Sequence, residues 1–424
     1  MKQSNLWIGG QHVEPSGGVY FDDINPSNQS VIAKVAKGSA SDIDKAVGAA
    51  KEAFQAFSRT QAKEREKILC DAASIVERDK EEYLGLLIEE VGSPVMKAQF
   101  EVDYCINAFR AAAGVPRRLT GETMPLDRPG AFGMSVREPV GVIACITPFN
   151  VPLLKNVKQI AMVIATGNTS VLLPSEFATQ VTVKFAETLD EAGLPGGVFN
   201  YVTGDPFDIG DVLTSHPSVA AVNFCGSPVI GKRVAEIAAK DLKPITLELG
   251  GKSPLVVLDD ADLEKAIEAA TIGIFFFQGQ ACMASSRIIL QSGIAQSFID
   301  AFTDVARNIK VGDLSDPETA IGPIISERQA NRIRTHIDDA LDKGATLLHG
   351  GNDWTGQCCP PTILTDVKEG MTVFREETFG PVTSIYTVNT LEEALTLAND
   401  TEYGLSFSIF TSNITDALKT AREA

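Results

Sequence analysis

The stretch "VGVIACITPFNVPLLKNVKQIAMVIATGNTSVLLPSE", Val140 to Glu176, decides the fold. A short β-branched run, "VGVIACI", gives way to a helical segment beginning near Val151, and a second run, "TSVLL", follows it. The rhythm repeats through "VFNYVTG" and "VAAVNFCGS", each run followed by a helical segment. Strands alternating with helices of ~10–15 residues imply parallel βαβ units and hence an open, doubly wound α/β sheet. Such sheets bind ligands outside the carboxyl ends of their strands, near helix N-termini.

Upstream, the first forty residues alternate short apolar runs with turn residues, the pattern of edge hairpins. A helix then follows, with Ser41 and Asp44 as a capping pair and Ile43, Ala46, Val47, Ala50, Phe54 and Phe57 at helical spacing. Two further helical stretches are predicted over Ala62–Glu90 and Pro94–Ala113. The Gly- and Pro-broken segment that comes next predicts a protruding hairpin or arm over 119–138. Downstream of "ITLELGGKSPLVVLDDADL" a second α/β series begins, with a helix at Asp262–Phe276, a cysteine loop, "RIILQ", two long helices, "PVTSIYTV" and "LSFSIF". The expected organisation is therefore a discontinuous first domain over 1–118 and 139–247, the arm, and a second domain over 248–424. The last residues run in helical pattern without a stop signal, which predicts that further elements normally follow.

Composition narrows the function. The 37 basic and 55 acidic residues leave a net charge of −18, which disfavours nucleic acid and anionic membrane surfaces as partners. There is no signal-peptide apolar region, and no apolar run approaches the ~18–20 residues of a membrane span. A cytoplasmic protein is expected. Seven scattered cysteines form no disulfide framework, and four distant histidines without HExxH argue against a metal site.

Five motifs then fall in one order: "TPFN" (Thr147–Asn150), "GSPVIG" (Gly226–Gly231), "ELGGKSP" (Glu248–Pro254), "QGQACMAS" (Gln278–Ser285) and "EETFGPV" (Glu376–Val382). Together, over nearly the whole chain, they resemble the aldehyde dehydrogenase superfamily. The resemblance implies a Rossmann-like cofactor domain, a catalytic domain, an oligomerisation arm, and a homodimer or homotetramer. It also implies that chains of this kind continue beyond residue 424.

The same resemblance implies roles. Cys282 matches the nucleophile, whose thiolate adds to an aldehyde carbonyl. The side-chain amide of Asn150 and the Cys282 N–H match the donors to the resulting oxyanion. Glu248 matches the carboxylate that activates water for thioester hydrolysis, a group usually absent where the acyl group passes to coenzyme A. On the cofactor side, Thr147, Pro148, Phe149, Leu249 and Gly250 border the site, Gly226 and Ser227 match the pyrophosphate turn, and Glu377 and Phe379 match the nicotinamide-ribose contacts. Glu176 matches an acidic residue facing the adenosine ribose. A carboxylate there repels a 2′-phosphate, so NAD is expected over NADP. Leu173 departs from the pattern, since relatives usually carry a lysine there, and this predicts a weakened adenosine subsite.

For the substrate, Phe276, Phe277, Ala281 and Met283 beside Cys282 predict an apolar, aromatic wall. Val151, Lys155 and Lys158 share one helix face, which by resemblance borders the substrate channel. The stretch from Thr147 to Asn168 resembles the branch acting on benzaldehyde, vanillin and salicylaldehyde, where an arginine often stands at the place of Lys158. Succinic-semialdehyde enzymes carry an arginine there too. The expectation is an aromatic aldehyde, with a hydroxyl or carboxylate for a lysine to pair with. The competing readings are a succinic-semialdehyde dehydrogenase and a non-catalytic scaffold of the same fold, the latter favoured by Leu173 and opposed by Cys282, Glu248 and Asn150 together.

Overall fold

The computed structural model describes residues 2–424. The chain divides into two compact units, one formed by the chain up to Asn25 with Gln29–Val91 and Ala98–Glu248, the other by Pro26–Asn28, Gly92–Lys97 and Leu249–Ala424.

In the first unit the strands are β1 (Lys2–Ser4), β2 (Leu6–Ile8), β3 (Gln11–Val13), β4 (Tyr20–Ile24) and β5 (Val31–Ala36), followed by helices α1 (Ala40–Phe57), α2 (Ala62–Arg78), α3 (Lys80–Val91) and α4 (Val95–Ala113). A two-stranded antiparallel hairpin, β6 (Thr123–Met124) and β7 (Gly133–Met134), comes next. The alternating series is β8 (Val142–Ile146), α5 (Pro152–Ala165), β9 (Thr169–Leu173), α6 (Thr179–Glu191), β10 (Phe199–Tyr201), α7 (Pro206–Ser215), β11 (Val219–Cys225), α8 (Pro228–Lys240) and β12 (Ile245–Glu248). Its seven-stranded sheet runs β12-β11-β8-β9-β10-β2-β3, parallel from β12 to β10, with the β2–β3 hairpin antiparallel at one edge. All five residues of β8 and of β9 are buried, as in a sheet covered on both faces, which is why β8 reads as an unbroken apolar run and β9 as one after Thr169 and Ser170.

The second unit repeats the principle with β13 (Pro254–Val257), α9 (Leu263–Phe275), β14 (Arg287–Gln291), α10 (Ser292–Asn308), α11 (Glu327–Asp342), β15 (Thr346–His349), β16 (Thr362–Thr365), α12 (Thr372–Arg375), β17 (Val382–Val388), α13 (Leu391–Asn399), β18 (Ser408–Phe410) and α14 (Ile414–Glu423). Its sheet order is β15-β16-β17-β14-β13-β18, parallel except for β15. Leu255, Ile274, Ile288, Phe298 and Phe302 are among the residues that close its core. Arg287 is wholly buried and donates to the carbonyls of Lys252, Leu397 and Ala398, so its charge is met by three aligned dipoles.

Two local expectations are corrected. The capping box of α1 is Ser39 with Asp42, not Ser41 with Asp44, because Asp42 turns inward and also accepts from Ser16. The stretch Ala62–Glu90 is two helices, because Asp79 leaves helical geometry (φ −94°, ψ 20°) with its carboxylate held by Arg78 and by Lys184 on α6. No helix among the described residues is long and apolar enough to cross a membrane, and no group of three His, Cys, Asp or Glu among them is placed to hold a metal ion.

Candidate active site

In the first unit the candidate residues gather at the carboxyl ends of β12, β11, β8 and β9, four consecutive strands of the parallel part. Thr147 to Val151 form the loop from β8 into α5, with Pro152 at the first helical position. The Thr147 N–H donates to the Leu173 carbonyl at 3.1 Å and its hydroxyl to Asn156 at 2.9 Å, which fixes the loop. Asn150 is buried, and the Phe149 ring meets Phe177 edge-on with centroids 6.1 Å apart. Buried Glu101 of α4 accepts from Leu154 N–H at 3.1 Å in the first turn of α5.

Gly226 and Ser227 follow β11 directly. Ser227 caps α8, accepting from Ile230 N–H at 3.4 Å, and Gly226 donates to the Glu248 carbonyl at 3.0 Å. The loop suited to a phosphate group thus adjoins the strand that carries Glu248. Glu176 stands just past the end of β9 and is partly exposed. Leu173 is 1% exposed and faces Gly210 of α7, so it serves the packing of the sheet. Lys155, 12% exposed, sets its Nζ 3.6 Å from Glu248 Oε2, whereas Lys158, on the same helix, is exposed. Lys158 lines a cavity of about 540 Å³ between α4 and α5, together with Tyr104, Asn107, Ala108, Arg118 and Val157.

In the second unit Cys282 is partly exposed on the loop from α9 to β14, where Ala281 is partly buried and Met283 exposed. Backbone geometry sets this loop. Phe277, Gln278 and Gly279 all have positive φ (50°, 53° and 65°), and a Cβ on Gly279 would collide with the Gly380 carbonyl. The buried Gln278 amide donates to the carbonyls of Gly92 and Pro323 at 3.0 Å each, and Gln280 accepts from Ile325 N–H at 3.0 Å. These two glutamines hold the cysteine loop, a role carried by their positions on either side of Gly279. Phe276 is partly buried, but Phe277 is 1% exposed with the Lys97 ammonium 4.1 Å from its ring centroid. The wall expected of Phe277 is therefore a packed base beneath the loop.

Leu249 and Gly250 precede Gly251, which touches both the cysteine loop and the "EETF" loop. A Cβ on Gly251 would lie 2.5 Å from the Cys282 carbonyl oxygen, and one on Gly250 would strike the Glu377 carboxylate. Gly251 N–H donates to Glu377 Oε1 at 3.1 Å. Burial raises the Glu377 carboxyl above its ordinary pKa, partly offset by that hydrogen bond. Burial likewise brings the Lys252 ammonium down to about 7, helped by nearby Arg287. Three residues of α11 brace the same loop, unforeseen in the sequence. Gln329 donates to the carbonyls of Thr378 and Phe379, Arg332 to that of Glu377 at 2.7 Å, and buried His336 meets Thr378 Oγ1 at 3.2 Å. They support Phe379 in its left-handed conformation (φ 56°).

A partly exposed thiol on a glycine-flanked loop, and a Gly-Gly turn that touches both that loop and the Glu377 carboxylate, are the features to set against known proteins. Residues 12–424 match the aldehyde dehydrogenase family. This chain belongs to that family. A vanillin dehydrogenase of Pseudomonas fluorescens is 39% identical over 98% of this aldehyde dehydrogenase and 87% of its own length. The crystal structure of a salicylaldehyde dehydrogenase from Pseudomonas putida G7 complexed with salicylaldehyde is similar with a TM-score of 0.97 at 36% identity, covering 100% of this chain and 88% of that one. An NAD-dependent aldehyde dehydrogenase from Sinorhizobium meliloti is similar with a TM-score of 0.97 at 36% identity, over 100% and 85% of the two chains.

Proposed function

We propose that this aldehyde dehydrogenase oxidises an aromatic aldehyde to the carboxylic acid with NAD, through a thioester on Cys282. The observation that carries the reading is the locked loop around Cys282. Of the seven cysteines, five are buried, Cys70 is exposed, and Cys282 alone is partly exposed on a glycine-braced loop.

The chemistry assigned to the chain's own groups runs in two halves. The Cys282 thiolate forms a C–S bond to the carbonyl carbon, and the oxyanion is stabilised by the Asn150 amide and the Cys282 N–H. NAD, when bound, supplies the acceptor for the hydride that leaves as the carbonyl re-forms. In the second half Glu248 takes a proton from water as the water oxygen bonds to the thioester carbon, the C–S bond breaks, and the thiolate and the free acid separate. The residues suit NAD: Ser227 and Gly226 offer a helix N-terminus to phosphates, the glycine cradle at Gly250–Gly251 aims Glu377, and the Glu176 carboxylate disfavours a 2′-phosphate.

For the substrate class, the cavity bearing exposed Lys158 with Arg118 and Tyr104 supports an aromatic aldehyde with a phenol or carboxylate substituent. The similarity to vanillin and salicylaldehyde dehydrogenases favours the same class. A homodimer or homotetramer is part of this reading.

The test combines limiting iodoacetamide, intact mass with and without NAD, and NADH release from salicylaldehyde, vanillin and succinic semialdehyde. Preferential labelling at Cys282 with faster turnover of the aromatic aldehydes is expected. Turnover of succinic semialdehyde alone would overturn the substrate class, and absence of both labelling and NADH would leave a non-catalytic scaffold. Acyl-CoA in place of free acid, with coenzyme A present, would overturn the role of Glu248.

A further inference from the structure

Lys155 was expected in the substrate channel, and its surroundings in the first unit give it another task. Its backbone is fixed in the opening turn of α5, where its N–H donates to the Val151 carbonyl at 2.9 Å. Its side chain is 12% exposed, and an ammonium so far withdrawn from water needs an anion. The structure gives it Glu248, whose own side chain is 50% exposed at the end of the edge strand β12. A half-exposed glutamate on an edge strand has three rotatable bonds and little to hold it.

We propose that Lys155 is the positioning residue of the hydrolytic base: its ammonium restrains the half-exposed Glu248 side chain. The proposal rests on the reading of Glu248 as that base. The separation of 3.6 Å exceeds a hydrogen bond, so the attraction acts through charge and leaves the carboxylate lone pairs free to take a proton from water. The titratable or charged groups of this unit around the pair include Glu101 of α4, which accepts from Leu154 N–H in the same turn, Lys158 one turn along α5, and Cys225, the register neighbour of Glu248 on β11. Lys155 and Lys158 thereby divide the work. Lys155 serves the base, and Lys158 is left to face an anionic substituent in the cavity between α4 and α5.

The step affected is thioester opening, in which a water proton passes to Glu248, the water oxygen bonds to the acyl carbon, and the C–S bond releases the Cys282 thiolate. The test forms the acyl-enzyme with salicylaldehyde and NAD and follows its decay by intact mass at one fixed pH in wild type, Lys155→Met, Lys155→Gln, Lys155→Arg and Glu248→Gln. Without the restraint the Glu248 side chain spreads over several rotamers, so decay is expected to slow about ten-fold in both neutral variants. Acyl-enzyme formation is unchanged, and Lys155→Arg behaves as wild type. Lys155→Gln keeps a polar side chain near the lysine's length and covers the case in which Lys155→Met does not fold. Decay at the wild-type rate in the neutral variants overturns the proposal, as does a change confined to KM for phenolic or carboxylate-bearing aldehydes. If Glu248→Gln decays as fast as wild type, the base reading itself fails, and this inference with it. Slow decay in Glu248→Gln with wild-type decay in the neutral Lys155 variants sinks the inference alone.

Discussion

The two glycines after Glu248 are where a single methyl group has the sharpest consequences. Gly251→Ala places a Cβ 2.5 Å from the Cys282 carbonyl and 3.3 Å from Ser253 Oγ, so the cysteine loop has to move. A displacement of about 1 Å at a reacting group costs on the order of 100-fold in rate. The expected outcome is a fall of that size in the pre-steady-state NADH burst, with the melting temperature little changed. Gly250→Ala instead meets the Glu377 carboxylate, which the Gly251 N–H now holds. There the expected effect is a several-fold rise in KM for NAD, with the aldehyde KM unaltered, read by initial-rate kinetics with each substrate varied. Of the proposed site, the residues that the sequence singles out are those whose type carries the chemistry, Cys282, Glu248 and Asn150. Those left unread act through distant backbone. Gln278 reaches the carbonyls of Gly92 and Pro323, and Arg332 that of Glu377, contacts that no local pattern announces.

Helix α11 and the segment around β4 illustrate how whole elements respond to pH. His336 lies on the buried face of α11, and desolvation lowers its pKa to about 4. Glu376 is 3.8 Å away and favours the charged ring, but it is more than half exposed and screened, so burial prevails. With the folded pKa below the unfolded value near 6.5, the unfolded chain binds the extra proton. The contribution is whole above pH 6.5 and is lost as pH falls toward 4, on the order of 2–3 kcal/mol. His336→Gln is expected to flatten this part of the stability profile, measured by urea melts between pH 4 and 7. Asp23 works with the opposite sign. It is 2% exposed at the end of β4, in contact with the buried Glu90 carboxyl, and burial raises both pKa values. Glu90 accepts from Gln180 N–H and Val181 N–H at the start of α6, so it is the better placed of the two to hold the charge. The folded pair holds a proton that the unfolded chain has released, so stability falls as pH rises above the unfolded carboxyl range. Asp23→Asn removes that loss, and a gain of about 1–2 kcal/mol at pH 8 that shrinks toward pH 4 is expected in the same melts. Such pairings also explain where the reading of elements failed. The βαβ series was legible because short, mainly apolar runs such as that of β8 alternate with helical segments, whereas the break at Asp79 depends on Lys184, a hundred residues along.

At the scale of the molecule, the candidate residues are shared between units, with Asn150, Glu176 and Glu248 on the first and Cys282 and Glu377 on the second. Neither α/β sheet carries the full set, which is why the motifs spread along the chain and why their order was a stronger signal than any one of them. The β6–β7 hairpin of the first unit contributes none of these residues. It bears Met124, Leu126, Phe132, Met134 and Val136, all between 43% and 69% exposed. Two strands alone are marginal in water, and an apolar hairpin of this kind gains by being covered. A second copy of the chain as the cover agrees with the homo-oligomer proposed above, and the net charge of −18 sets the condition for testing it. Like-charged copies repel at low salt, so an oligomer held by apolar contact should strengthen as salt screens that repulsion. The expected result by light scattering after size exclusion is a wild-type mass of two or four chains, retained from low to moderate salt. Phe132→Asp combined with Met134→Asp puts two further anions on the hairpin, and the mass should fall by at least a factor of two with the circular dichroism spectrum unchanged. A wild-type mass of one chain under all these conditions, or a double variant that assembles as before, would remove the hairpin from the interface.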